Sequence, residues 1–146
     1  KFNGRQLEPK MNAHVLCVAG SEDRVHQAKG AAVAFQILGW DSVYLGNVER
    51  EIDPFFDIDF QRYVSRIWAN KRGMMLVCVF SSSESSLKFL TSVTSSMKGR
   101  LKGELRIAAM TSAELEPVAE EHADHFPKDL QSLLEWSERQ YSSLAT

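Results

Sequence analysis

An unbroken apolar run, Met74–Phe80 (M-M-L-V-C-V-F), constrains this chain more than any other feature. A half-exposed strand alternates apolar and polar residues, and a surface helix repeats them every three to four positions. This run does neither. It suits a strand buried on both faces, the kind found in parallel sheets covered by helices. It is also too short to cross a bilayer. Residues 14–19 have the same character and end at Gly20-Ser21.

The segments between such runs have helical spacing. Val25, Ala28, Ala32 and Phe35 form one stripe over residues 23–38, widened by Ala31, Val33 and Leu38, and Gly39 stops it. Residues 42–45 read as a second strand ended by Gly46-Asn47, and 48–58 as an acidic loop around Pro54. Phe60, Val64, Ile67 and Trp68 make the next stripe, ending near Gly73. A serine-rich turn, 81–86, leads to a helix carrying Leu87, Leu90, Val93 and Met97, closed by Gly99 and Gly103. Residues 105–110 read as a fourth strand, and 113–121 as a short helix interrupted by Pro117. Residues 123–126 read as a short edge strand. A final helix over 128–144 turns Leu130, Leu133, Leu134 and Tyr141 inward.

Strand–helix alternation at this spacing implies right-handed crossovers and helices on both faces of one sheet. The expected fold is α/β and doubly wound: a five-stranded, mostly parallel, flavodoxin-like sheet in the order 2-1-3-4-5. Residues 1–12, polar and holding Gly4 and Pro9, read as a linker, and 13–146 as one domain. Cys17 and Cys78 lie within strands and read as buried, reduced thiols, which suits the cytoplasm.

Sheets of this kind bind ligands beyond the carboxyl ends of their strands. Here that edge comprises residues 20–26, 46–48, 81–85 and 110–112. The candidate binding residues are Gly20, Ser21, Arg24, His26, Ser81, Ser82, Ser83, Met110 and Thr111. The edge carries no G-x-G-x-x-G, no G-x-x-x-x-G-K-[ST] and no G-x-S-x-G, so dinucleotide, phosphate-loop and hydrolase readings lack their motifs. A serine follows the third strand where a phosphoacceptor site needs a carboxylate. A non-catalytic domain is expected. Glu22 and Asp23 suit the start of a helix by their charge.

Here a resemblance becomes specific. The stretch V-L-C-V-A-G-S-E-D-R-V-H-Q-A-K-G, continuing to G39-W40-D41-S42-V43-Y44-L45-G46, resembles the first half of a cobalamin-binding domain. Serines after the third strand, at Ser81, Ser82 and Ser83, and the closing E-E-H-A-D-H-F-P-K-D-L-Q-S-L-L extend the likeness over residues 12–140. The ligand motif of that family, D-x-H-x-x-G, is broken. Counted back from Gly39, its Asp falls on Glu22, its cobalt-ligating His on Arg24 and its Gly on Gln27. Its paired glycines after the fourth strand fall near Ala109 and Met110. Arginine does not ligate metals in the ordinary way. The pattern also resembles sensor domains that carry heme instead of cobalamin, joined to light- and redox-sensing antirepressors of photosynthesis genes.

That resemblance implies heme as the first cofactor and cobalamin as the lesser one. His26 would be the axial metal ligand, Arg24 would meet a propionate, and a transcriptional regulator or another domain of the same chain would be the partner. Two further readings stand beside it: a cofactor-free domain acting as a protein-interaction module, and a cobalamin-binding accessory domain without a histidine ligand.

Each residue also has a plain structural use. His26 and Arg24 can be solvated helix-start residues, and Ser83 or Ser85 can cap the following helix. His14 reads as structural, and His122 and His125 as solvated. Trp40 and Trp68 read as packing, and Phe55, Phe56 and Phe60 as core, pocket cover or partner contact. The net charge of −2 gives no drive toward nucleic acid. Arg62, Arg66, Lys71, Arg72, Lys98, Arg100 and Lys102 read as dispersed among acids, so a protein partner is expected rather than DNA or a membrane.

Overall fold

The computed structural model describes residues 10, 12–68, 72–100 and 103–145. The expected linker, but for Lys10 and Asn12, and the basic residues Lys71 and Lys102 lie outside them.

The apolar runs become the centre of a sheet. β1 (Ala13–Ala19) and β3 (Met74–Phe80) pair in parallel, with Cys17 opposite Cys78. β2 (Asp41–Asn47) flanks β1 and β4 (Glu104–Met110) flanks β3, giving the all-parallel order β2-β1-β3-β4. Every residue of β3 is buried, as a strand covered on both faces requires. Val15, Cys17, Leu76 and Cys78 turn to one face, where α1 (Val25–Ile37) supplies Ala28, Ala31 and Phe35 and α5 (Leu130–Ala145) supplies Leu133 and Trp136. Leu16, Val18, Met75 and Val77 turn to the other. There they meet Phe60 and Val64 of α2 (Phe56–Ile67), Leu87 and Leu90 of α3 (Glu84–Ser95), and Ala119 of the short α4 (Glu116–Ala119). Each fully buried Leu, Val or Met side chain on these faces contributes about 1.5–3 kcal/mol. Gly39, at φ 93°, ends α1 as expected. Trp40 and Trp68 are both packed in the core.

The sheet has four strands, not five. Residues 123–126 touch β4 at a single parallel bridge, Ala108 to His125, with the Ala109 N–H donating to the His125 carbonyl at 3.0 Å. The cause lies in Asp124. Its carboxylate accepts the Ile107 N–H at 2.7 Å, a bond that a neighbouring strand's carbonyl would have taken. Lys98 holds that carboxylate with both contacts at 2.8 Å. Pro127, which lacks an N–H, follows at once. Other boundaries moved less. Residues 22–24 form a 3₁₀ turn before α1, α2 begins at Phe56 inside the expected loop, and Pro117 opens α4 rather than interrupting it.

Candidate functional site

In the order β2-β1-β3-β4 the chain leaves β1 and β3 in opposite directions, so the switch-point crevice opens between their carboxyl ends. Gly20 continues β1, its N–H donating to the Phe80 carbonyl at 2.8 Å, and Ser81 continues β3 by donating to the Met110 carbonyl at 3.1 Å. The two turns that follow touch directly. The Ser82 N–H donates to Ser21 Oγ at 2.9 Å, and that hydroxyl donates to Asp23 at 2.6 Å. Arg24 Nε donates to Ser82 Oγ at 2.8 Å, and its Nη1 to Gln27 Oε1 at 2.8 Å. A Cβ on Gly20 would lie 2.8 Å from Ser81 Oγ and 3.0 Å from Ser86 Cβ, so only glycine fits there.

These contacts set the electrostatics of the edge. The Ser21 hydroxyl first, and Ser82 next, hold the Asp23 carboxyl below its ordinary value. The Arg24 guanidinium is occupied by two neutral acceptors. Ser81 Oγ accepts the Ser83 N–H at 3.0 Å, a closed turn within the serine run. Ser83 stands at the N-terminus of α3, but neither it nor Ser85 caps that helix through its side chain; their hydroxyls lie 3.4 Å from each other.

Gly20, Ser21, Arg24, Ser81, Ser82 and Ser83 are therefore brought together along a seam between the two turns. Met110 is buried on the α1–α5 face of the sheet and Ala109 on the α2–α3 face. His26 stands exposed on the first turn of α1, outside the network. Among the described residues no group of three or more His, Cys, Asp or Glu side chains is placed to hold a metal ion. Thr111, just past β4, has its Oγ1 shut off from solvent and without a hydrogen-bond partner. Four surface hollows are lined wholly by other residues.

No protein-family model matches the sequence, and no curated protein matches it. Among the described residues no helix is long and apolar enough to cross a membrane. Cys17 and Cys78 are free, buried thiols, and burial pushes Cys78 well above its ordinary value.

Some arrangements did not show in the sequence. His125 is half-buried rather than freely solvated: it stacks on Trp136 at 4.9 Å between ring centroids, and burial, with Arg139 adding to it, lowers its pKa. The basic residues are not all dispersed. Arg62 and Arg66 of α2 and Arg100 beyond α3 converge on one groove. The spacing of Arg62 and Arg66, one turn apart on a helix, was the available signal.

Proposed function

We propose that this chain is a cofactor-free protein-interaction module on a doubly wound α/β scaffold. The observation that carries this reading is the seam. The crevice where such sheets take ligands is occupied by Ser21, Arg24 and Ser82, bonded to one another. With Ser21, Arg24 and Ser82 bonded to one another, recognition falls to the outer helix faces. We take the compartment to be the cytoplasm, in keeping with the free thiols of Cys17 and Cys78. Titration of the purified chain with hemin and, separately, hydroxocobalamin tests this. The expected result is no saturable one-to-one spectral change with either; a stoichiometric complex with hydroxocobalamin, or with hemin, overturns it.

A second reading rests on Thr111 and His26. A buried hydroxyl without a partner costs about 1–3 kcal/mol, and a ligand at the end of β4 would satisfy it. In this reading the chain is a regulatory sensor that binds heme with His26 as the axial nitrogen and relays its state to a transcription-factor partner. The His26→Ala variant decides it. Loss of a hemin Soret shift in that variant, with His122→Ala unchanged, favours the sensor. Identical spectra in all three proteins sink it.

A further inference from the structure

The groove between α2 and α3 has a volume of about 640 Å³ and is lined by Ile58, Gln61, Arg62, Ser65 and Arg66 of α2 and by Met97 and Arg100 just beyond α3. Among the described residues no carboxylate lines it. The ion pairs among the described residues engage Lys10, His14, Lys98 and Arg106, and none of these three arginines. Arg100 is held in place by neutral acceptors alone, Gln61 Oε1 at 2.7 Å and the Ser96 carbonyl at 3.2 Å. Arg66 lies over the Tyr63 ring at 5.1 Å. Among the described residues, the groove thus presents three guanidinium groups that no ion pair engages.

Its apolar side continues outward. Phe55 is 72% exposed and Ile58 48% exposed, although both are large hydrophobic residues. Phe55, Ile58, Arg62 and Arg66 follow the spacing of a single helix face, so the strip runs from apolar to cationic along α2. Asp57 borders a separate hollow that shares only Gln61 with this one.

Resting on the interaction-module reading, we infer that this groove docks an acidic amphipathic helix of a partner protein. Its apolar residues would lie against the exposed Phe55 and Ile58, and its carboxylates against Arg62, Arg66 and Arg100. Helix-in-groove recognition needs such a strip of anchors, and arginine forks favour carboxylates. The chain's own opening residues do not suit the groove. Residues 1–10 hold Lys1, Arg5 and Lys10 against one acid, Glu8. Lys10 is tied to the Leu38 carbonyl and Glu138, on the α1–α5 side of the sheet. The acid-rich segment 114–121 of a second copy does not suit it either, because its Leu115, Val118 and Ala119 pack into their own core. Nucleic acid would want a longer cationic stripe than three arginines beside exposed Phe55 and Ile58.

The test is fluorescence anisotropy of a labelled helical peptide with leucines along one face and glutamates along its flank, against the whole chain. The expected result is saturable binding, weakened about tenfold or more by Arg62→Glu with Arg66→Glu, by Ile58→Asp, and by replacing the peptide's glutamates with glutamine. Equal binding of the glutamine peptide, or insensitivity to both sets of variants, overturns the inference. So does absence of binding. Tighter binding of a single-stranded oligonucleotide would assign the groove to nucleic acid instead, and a sedimenting dimer lost in Arg62→Glu would assign it to a second copy. Circular dichroism of each variant confirms that it is folded. None of the substituted residues borders the β1–β3 seam, so hemin titration of the same variants separates failure here from failure of the cofactor-free reading.

Discussion

Ser21 accepts the backbone N–H of Ser82 through its hydroxyl at 2.9 Å, across 61 positions of sequence. That bond joins the turn after β1 to the turn after β3, and the Arg24–Ser82 contact at 2.8 Å doubles it. On the proposed cofactor-free reading, these contacts occupy the switch-point crevice.

Tight packing at the seam makes Gly20 sensitive. In Gly20→Ala the new methyl meets Ser81 Oγ at 2.8 Å and Ser81 Cβ at 2.9 Å, and both are fixed by the sheet. The expected loss of stability is about 1–3 kcal/mol, the usual cost of overpacking, read as a lower urea midpoint at unchanged slope. An unchanged midpoint would mean that the two turns are not in contact.

Ser21→Ala should move the Asp23 carboxyl. Its pKa is lowered chiefly by the Ser21 hydroxyl, so the variant should titrate at higher pH, toward the ordinary 3.8. Because the folded value is depressed, the contribution of Asp23 to stability is present above the unfolded value and is lost as pH falls through the folded one. Carboxyl-detected NMR titration of wild type and variant measures the shift. Coincident curves would remove Ser21 as its cause.

His125 gives a second pH dependence. Burial lowers its pKa from 6.5 in the folded chain. Stability from this group is therefore full above 6.5 and declines as pH falls through the folded value. His125→Phe keeps an aromatic ring against Trp136 and removes the titration. The variant should lose less stability than wild type between about pH 7.5 and about pH 5.5 in urea denaturation. Equal losses would contradict the assignment.

The missing fifth strand and the legible four have one explanation. Strands buried on both faces must be apolar throughout, so β1 and β3 showed directly in the sequence. Asp124 takes a ladder position with its side chain, and no pattern of hydrophobicity records that exchange. The same limit applies to the site. Residue types near the strand ends could be read from the order of elements, but not that Arg24 and Ser82, 58 positions apart, would bond each other and fill the space. Arg62 and Arg66 share a helix, whereas Arg100 reaches their groove only through the packing of α3 on α2.

Asp124→Ala tests that exchange. It strips a buried-edge N–H of its acceptor and leaves Lys98 unpaired. The expected cost is about 1–3 kcal/mol, with faster exchange of the Ile107 amide. Unaltered exchange at Ile107 would show that another group holds the edge of β4.

Closure of the crevice is tested most directly by hydrogen exchange at the Ser82 amide. This N–H has the Ser21 hydroxyl as its acceptor, so it should exchange slowly in the wild-type chain and much faster in Ser21→Ala, with the wild-type rate unchanged by hemin or hydroxocobalamin. Rapid exchange at Ser82 in the wild type, or slowing only when one of those ligands is added, would mean that the crevice is open and built for a cofactor.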